Sequence, residues 1–172
     1  MNKRKIILNL CTSLDFFIEG ENGEIDWCLT DQDYGMTDFL ARIDTILLGR
    51  KSYIQLVREA PTAFSDKKKI VFSTTLKEIP DGVKIIRANI EEEVNTLLNT
   101  PGKDIWLFGG KVLTSALLEL NLIDEFIIAI HPLILGQGKP LLIPNNQRKK
   151  LILTDTKTFS TGLVQLYYKV DK

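Results

Sequence analysis

The chain has 172 residues, and its 22 lysines and arginines balance its 22 aspartates and glutamates. This length suits one domain with a core that folds without disulfides or metals, so we expect a single domain over residues 1–172. The absence of net charge argues against a broad nucleic-acid or anionic-membrane surface. Cys11 and Cys28 give neither a disulfide framework nor a zinc-ligand spacing, so we expect no metal. No apolar run reaches transmembrane length and no signal-peptide pattern is present, which indicates a cytoplasmic protein.

Apolar runs alternate with segments of helical periodicity along the chain. Strands are predicted at residues 6–10, 45–48, 70–72, 83–86, 105–108 and 125–130. Helices are predicted at residues 36–43, 50–59, from 89 onward and 112–120, and a closing hairpin at 151–159 and 163–170. This order indicates an α/β fold of three layers, with a mostly parallel central sheet, helices on both faces and a C-terminal antiparallel hairpin.

Residues 12–30 form a long polar segment, and a loop of this length inside a compact domain is usually functional. Asp33 is predicted to cap the helix that follows the loop. Asn89, with Glu91 and Glu92 behind it, is predicted to open the third helix as a variant of the capping box.

Three strand ends carry residue types that bind phosphate. Ligands of open α/β sheets bind beyond the carboxyl ends of the strands, and helix N-termini there offer free N–H groups and a positive dipole end. The residues in question are Gly49, Arg50, Lys51 and Ser52, then Ser73, Thr74 and Thr75, then Gly109, Gly110 and Lys111. Together they predict a phosphorylated ligand. The alternative for each is structural, because glycines ease strand-to-helix turns, hydroxyls cap turns and cations at a helix start can be solvated.

Acidic residues are concentrated in and after the long loop. A carboxylate there can hydrogen-bond the N–H groups of a heterocycle, or donate a proton if burial raises its pKa, and Trp27 can stack on such a ring. The candidate substrate-binding residues are Asp15, Asp26 and Trp27, and the candidate proton donors are Asp31 and Asp33. The alternative is that most of these acids are solvated. His131 is predicted to be a packed strand-end residue, although a hydrolase built on it stays open without support from a nucleophile motif.

Several ordered motifs resemble a known family, namely residues 13–18, 44–53, 107–110, 122–125 and 131–136. The chain resembles dihydrofolate reductase-like proteins, and most closely the reductase domain of the bifunctional riboflavin-biosynthesis deaminase-reductase. The resemblance implies an NADPH-dependent reductase that is often a homodimer. It departs from the family at Phe16, where the riboflavin reductases usually have glycine, and at Asp26, which replaces the proline before the tryptophan of dihydrofolate reductase.

The resemblance also implies site roles. Residues 49–52 would lie along the cofactor, residues 73–75 near its adenosine end, and Ile18 near the nicotinamide. The pyrophosphate would be held by the segment that starts at Phe108, which comprises Phe108, Gly109, Gly110, Lys111, Val112 and Leu113. The acid that matches the proton donor of dihydrofolate reductase falls near Asp31 or Asp33.

The leading hypothesis is therefore hydride transfer from NADPH to a C=N or C=O bond of a small pterin- or pyrimidine-like substrate, as in 5-amino-6-(5-phosphoribosylamino)uracil reductases. The alternative is a non-catalytic nucleotide- or metabolite-binding dimer on the same fold. A third and weaker hypothesis is a small hydrolase that uses His131.

Overall fold

The computed structural model describes residues 3–77, 80, 82–144 and 148–172. Its elements, in chain order, are β1 Ile6–Thr12, β2 Phe17–Glu19, α1 Met36–Arg42, β3 Ile43–Gly49, α2 Arg50–Glu59, β4 Lys68–Phe72, β5 Val83–Ile86, α3 Ile90–Leu98, β6 Asp104–Gly109, α4 Lys111–Glu119, β7 Glu125–Ile130, β8 Lys139–Pro140, β9 Leu151–Thr158 and β10 Val164–Val170. Among the described residues, none of the helices has both the length and the apolarity needed to span a bilayer.

The main sheet has the strand order β5-β4-β3-β6-β1-β7-β10-β9. The strands from β5 to β7 in this order pair in parallel, and β10 runs antiparallel to both β7 and β9. The central strands are apolar on both faces, as expected for parallel strands that are covered on both sides. The predicted fold class is confirmed, including the antiparallel strand pair at the C-terminal end.

Two apolar cores lie on opposite faces of this sheet. Ile6 and Leu8 of β1 belong to the core that α3 and α4 cover, whereas Ile7 belongs to the core that α1 and α2 cover. This division follows from the alternation of side chains along a strand. All three side chains are fully buried, so β1 holds the two layers of helices to the sheet.

The long loop is more ordered than its composition suggests. It contains β2, which pairs with β8 to form a second, small sheet. The N-cap position of α1 is held by Gly35 and not by Asp33, but the Asp33 carboxylate still stabilises the first turn by accepting a hydrogen bond from the N–H of Thr37 at 3.0 Å. The predicted capping box of α3 is wrong, since Asn89 has a left-handed backbone (φ 53°) and its side chain makes no capping hydrogen bond.

Ion pairs concentrate at the amino ends of the parallel strands. Glu125, at the start of β7, accepts hydrogen bonds from Lys5 at 2.7 Å and from Arg42 at 2.9 Å. The buried Arg4 pairs with Asp44 at the same edge. These contacts stabilise one edge of the sheet, while the opposite edge carries the features described below.

Candidate active site

A cavity of about 430 Å³ opens at the carboxyl ends of β3, β4, β5 and β6. Its position is the one at which open α/β sheets bind ligands, and its volume lies in the usual range for small-molecule sites. The lining residues are Ile18, Glu19, Gly49, Arg50, Lys51, Ser52, Gln55, Phe72, Ser73, Thr74, Thr75, Ile86, Arg87, Ile90, Gly110, Lys111, Val112, Leu113, Ala116 and Lys139. All three strand ends singled out in the sequence therefore meet at one site.

Two helices begin at this cavity without the usual N-terminal stabilisation. The residues before α2 and α4 are Gly49 and Gly110, and neither helix has a side-chain cap or an acidic residue in its first turn. By contrast, α3 carries three glutamates in its first turn. The N-terminal N–H groups of α2 and α4 are therefore free to bind a ligand in the cavity. These N–H groups and the positive ends of the two helix dipoles favour an anionic ligand.

Cations reinforce this preference for an anion. Arg50 and Lys51 start α2, and Lys111 starts α4, where each opposes the helix dipole. Within the described ranges, none of the three forms an ion pair. Three unpaired cations beside two uncapped helix ends make the wall of the cavity electropositive.

The turn between β6 and α4 needs glycine for two separate reasons. The backbone φ angles of Gly109 and Gly110 are 122° and 96°, values that residues with a side chain rarely adopt. A Cβ atom on Gly110 would also stand 3.0 Å from the hydroxyl oxygen of Ser52. The glycines thus leave the backbone of this turn open to a close-fitting ligand.

The end of β4 shapes the far wall of the cavity. The hydroxyl oxygen of Ser73 accepts hydrogen bonds from the N–H groups of Thr75 at 3.2 Å and Leu76 at 2.9 Å. Arg87 donates to the carbonyl of Leu76 at 2.8 Å and so also faces this wall. Ser73 therefore holds the turn, and the exposed Thr74 and Thr75 present their side chains at the rim.

Two of the predicted cofactor residues do not line the cavity, Phe108 and Gly109. Phe108 instead packs on Trp106, with the ring centroids 4.9 Å apart, in the core under α1 and α2. The carbonyl of Gly109 accepts a hydrogen bond from the hydroxyl of Ser52, which does line the cavity. The lining residues that sequence reasoning missed are Glu19, Gln55, Phe72, Ile86, Arg87, Ile90, Ala116 and Lys139.

Most of the missed residues follow from the fold rather than from any motif. Phe72 and Ile86 are the last residues of β4 and β5, so the rule used for the other strand ends would have found them. Glu19 and Lys139 form an ion pair at 2.8 Å because β2 pairs with β8. No local pattern in the sequence predicts the pairing of β2 with β8.

The candidate proton donors lie outside the cavity lining and are exposed. Asp31 accepts a hydrogen bond from the hydroxyl of Tyr34 at 2.6 Å, and this bond lowers the pKa of Asp31. The hydroxyl and N–H of Thr37 likewise lower the pKa of Asp33. Both carboxyls are therefore ionised at neutral pH in this conformation.

The candidate substrate-binding residues also lie away from the lining. Asp15 holds the long loop to the segment after β7, accepting hydrogen bonds from the N–H groups of Leu135 at 3.1 Å and Gly136 at 2.8 Å. Hydrogen bonding from Ser13 and from these N–H groups lowers the pKa of Asp15. Asp26 is exposed, while the half-buried Trp27 lies beyond it in the loop.

Trp27 contacts His131 edge-on, with the ring centroids 5.4 Å apart. His131 is fully buried just after β7, as predicted for a packed strand-end residue. Burial lowers the pKa of His131, against the opposing effect of the Ala129 carbonyl. No described hydroxyl or carboxylate forms a hydrogen bond with its ring, so the contacts of His131 give no support to a hydrolase.

Comparisons with known proteins agree with this architecture. The model of the RibD C-terminal domain matches residues 4–165. The uncharacterized protein YyaP of Bacillus subtilis is 49% identical over 98% of the chain and 96% of its own length, and YwjB of the same organism is 34% identical over 96% and 98%.

Solved structures share the fold at lower identity. A protein from Shewanella sp. PV-4 has a TM-score of 0.85 at 24% identity, covering 98% of this chain and 99% of its own. The diaminohydroxyphosphoribosylaminopyrimidine deaminase/5-amino-6-(5-phosphoribosylamino)uracil reductase of Thermotoga maritima has a TM-score of 0.74 at 14% identity, covering 98% of this chain and 57% of its own. Dihydrofolate reductase from Enterococcus faecalis, solved with NADP(H), has a TM-score of 0.73 at 13% identity, with coverage of 98% and 97%.

Proposed function

The chain belongs to the RibD C-terminal domain family, and we propose that it is an NADPH-dependent reductase of a small pterin- or pyrimidine-like substrate. Its reductase-type fold is common to a bifunctional deaminase/reductase and to a dihydrofolate reductase. The single observation that carries the proposal is the cavity onto which α2 and α4 open with uncapped N-termini and three cations that form no ion pair with the described residues.

The residues at these helix ends fit a dinucleotide. A pyrophosphate needs backbone N–H donors, a close approach and positive charge, and the turn at Gly110 with Lys111 beside it offers all three. Arg50 and Lys51 stand on the same cavity and suit an additional phosphate of the NADPH type. The rim at Thr74 and Thr75 suits the polar adenosine end.

When bound, NADPH supplies the hydride. The role of this chain is then to hold the nicotinamide and the substrate face to face, which removes most of the entropic cost of their encounter. Ile18, in β2, lines the cavity and is half-buried, so it offers an apolar contact for a ring. We assign the substrate to the side of the cavity bounded by Ile18 and Glu19 of the long loop. Asp15, Asp26 and Trp27 belong to the same loop and would contact the substrate only beyond the present lining.

The proton for the reduced bond is assigned to Asp31 or Asp33. Both lie in the loop segment directly before α1, near the position at which the resemblance to dihydrofolate reductase would place its proton donor. A carboxyl with a lowered pKa donates a proton less readily at neutral pH, so this assignment predicts a rate that rises as the pH falls.

A second candidate function is a non-catalytic binding protein on the same fold. One observation favours it: Glu19 is the one acid that lines the cavity within the described residues, and it is paired with Lys139. On this hypothesis the cavity binds the nucleotide, but no carboxyl is placed to serve the reaction.

We further propose that the chain forms a homodimer through β9, of which all eight residues are exposed. Leu151 and Leu153 pair with Val170 and Tyr168 of β10, both of which pack on the core under α3 and α4. Because cross-strand partners share a face, the two leucines continue this apolar face beyond the cover of the helices. An exposed edge strand with an apolar face is a surface suited to a second copy.

Calorimetric titration with NADPH and with NADH tests the cofactor assignment. We expect NADPH to bind more tightly, and no binding of either at millimolar concentration would refute the cavity as a dinucleotide site. Turnover of NADPH with dihydrofolate, dihydropterins and ribosylamino-pyrimidines then separates the two candidate functions. Binding without turnover on every substrate favours the non-catalytic protein.

A further inference from the structure

The fold brings together every cysteine and histidine of the chain. The sequence contains two cysteines and one histidine. The sulfur atoms of Cys11 and Cys28 and a ring nitrogen of His131 all lie within 4.8 Å of one another. We propose that this Cys11–Cys28–His131 cluster is a metal site that binds a thiophilic divalent ion, of which Zn²⁺ is the type, through two thiolates and one imidazole.

The strand register accounts for two of the three ligands. Cys11 of β1 pairs with Ala129 of β7, and the backbone N–H of His131 continues this pairing by donating to the carbonyl of Thr12 at 2.8 Å. Since side chains alternate along a strand, His131 points to the same face as Ala129 and therefore as Cys11. The sheet itself sets these two groups side by side.

The long loop supplies the third ligand. The N–H of Cys28 donates to the carbonyl of Ile25 at 3.0 Å, which closes a turn in the loop. The neighbouring ring of Trp27 packs edge-on against His131, and its indole N–H donates to the carbonyl of Glu24 at 3.2 Å. The loop is thus held over the end of β7 with Cys28 facing the other two residues.

The hydrogen bonding of His131 leaves one ring nitrogen ready for a metal. Nδ1 lies 3.2 Å from the carbonyl oxygen of Ala129, and an oxygen acceptor there requires that Nδ1 carries the proton of the neutral imidazole. Nε2 then presents a lone pair. The side chain of His131 is 0% exposed, and its Nε2 has no hydrogen-bond partner in the described part of the chain. Metal-bound histidines use the same arrangement, in which the second nitrogen donates to a carbonyl.

The spacing of the three atoms suits a tetrahedral ion. Zn–S bonds of about 2.3 Å and Zn–N bonds of about 2.0 Å place ligand atoms roughly 3.5–3.8 Å apart. From their outer limit of 4.8 Å, the atoms need to close by at most about 1.0–1.3 Å. Cys28 lies in a loop and not on the sheet, so we assign this movement to its side chain. Both cysteines are partly exposed, so the fourth coordination position is open to water or a ligand.

The donor set selects the class of ion. Two thiolates and an imidazole favour Zn²⁺ and related thiophilic ions, whereas Ca²⁺ and Mg²⁺ require oxygen ligands, and the cluster contains no carboxylate. The main rival is a disulfide between Cys11 and Cys28, which would consume both thiolates. The metal and the disulfide are mutually exclusive, and the experiment below distinguishes them.

The test uses the full chain without a histidine tag, purified under reducing and anaerobic conditions and stripped with a chelator. Titration with Co²⁺ alone should saturate at one ion per chain and give thiolate-to-cobalt charge-transfer absorption, which Zn²⁺ then displaces. Because the chain has no other cysteine, this absorption can arise only from Cys11 and Cys28.

Variants locate the site. Cys28→Ser, in the loop, should weaken Co²⁺ binding by at least about 100-fold and reduce the thiolate absorption, and Cys11→Ser should do the same. Thr30→Ala is the matched control, because Thr30 is exposed in the same loop and is not one of the three ligands, so this variant should bind as the parent does. His131→Gln removes a fully buried group and can fail to fold, so the two serine variants decide the result.

Three outcomes would overturn the proposal. They are binding of Co²⁺ without thiolate absorption, unchanged affinity in Cys28→Ser, and a Cys11–Cys28 disulfide whose reduction yields a chain that binds no metal. None of the three ligands lines the cavity. Nucleotide binding by Cys28→Ser therefore reports on the proposed function separately from the metal site.

Discussion

The hydroxyl of Ser52, in the first turn of α2, donates a hydrogen bond to the carbonyl of Gly109 at 3.3 Å. This contact joins the start of α2 to the turn that precedes α4. It holds two uncapped helix ends in a fixed relation, so that their free N–H groups face one cavity. The predictions about the cofactor follow from this relation.

Gly110→Val should abolish nucleotide binding while the chain still folds. A valine at this position would be held at a strained backbone φ of 96°. Its Cβ atom would stand 3.0 Å from the hydroxyl oxygen of Ser52, in the space that a pyrophosphate would take. Calorimetry measures binding, and circular dichroism with thermal melting measures folding.

Gly136→Val is the matched control for backbone strain. Gly136 has a φ of 77°, but a Cβ atom there meets nothing within 4 Å. This variant should lose stability and retain binding. Intact binding in Gly110→Val would show that the phosphates have been placed wrongly.

Arg50→Gln and Lys51→Gln should each weaken NADPH binding by roughly 5- to 30-fold, which corresponds to the loss of about 1–2 kcal/mol from a hydrogen bond to a charged group. Binding of NADH should change less, and the salt dependence of NADPH binding should fall. Arg58→Gln, at the other end of α2 and paired with Glu59, should have no effect. Equal losses for NADPH and NADH would remove the assignment of this pair to an additional phosphate.

Replacement of the proton donor should flatten the pH profile of turnover. The pKa values of Asp31 and Asp33 are lowered, so the protonated fraction, and with it the rate, should rise as the pH falls below neutral. Asn at the responsible position should remove this rise. Asp33→Asn keeps a side-chain oxygen that can accept the hydrogen bond from the N–H of Thr37, so a loss there is not expected to be a folding effect. An unchanged profile in both variants would exclude both acids as donors.

Glu125→Gln should lower the free energy of unfolding by about 1–3 kcal/mol at pH 7. Burial would raise the pKa of Glu125, but the hydrogen bonds from Lys5 and Arg42 outweigh it, and the net effect is a lowered pKa. A carboxyl with a lower pKa in the folded chain stabilises it above the unfolded pKa, and this contribution is lost as the pH falls through the folded pKa.

The difference between Glu125→Gln and the parent should therefore shrink below about pH 4, near the ordinary pKa of glutamate. Urea unfolding at pH 7 and at low pH measures it. Glu93→Gln, which breaks an exposed pair with Lys84, is the control and should cost less than about 1 kcal/mol. A constant difference across this range would mean that Glu125 does not titrate as described.

Leu153→Lys should shift the chain from dimer to monomer without loss of folding. Leu153 is 53% exposed on β9, where a lysine costs the monomer little but blocks edge-to-edge pairing. Light scattering after gel filtration measures the mass. Thr158→Lys adds the same charge at the far end of β9 and should disrupt the dimer less. A parent chain that is monomeric at high concentration would refute the interface.

The periodicity of apolar residues predicted several helices and strands with their correct bounds. The predicted helix at residues 50–59 and the predicted strands at 83–86 and 125–130 have the bounds of α2, β5 and β7. The meeting of three strand ends also followed from sequence, because parallel strands end at one edge. β2 and β8 were missed, since two or three residues carry no periodicity and their pairing depends on tertiary contact.

The Cys11–Cys28–His131 cluster was missed for a related reason. Zinc motifs are recognised by ligands that are close in sequence, whereas these three lie on β1, in the long loop and after β7. Only the register of β1 against β7 and the course of the loop bring them together. The position of Phe108 was wrong for the same reason. Its place directly before two glycines indicated a cofactor contact, whereas its packing on Trp106 depends on the tertiary fold.

The uncapped ends of α2 and α4 also make the free energy of unfolding depend on the anions present in solution. An anion held there binds the folded chain and not the unfolded one, since the unfolded chain has no helix ends. By mass action, such a ligand at 100 times its Kd adds about 2.7 kcal/mol to the free energy of unfolding. If the cavity binds phosphate-bearing ligands as proposed, the melting temperature of this protein should rise with their concentration.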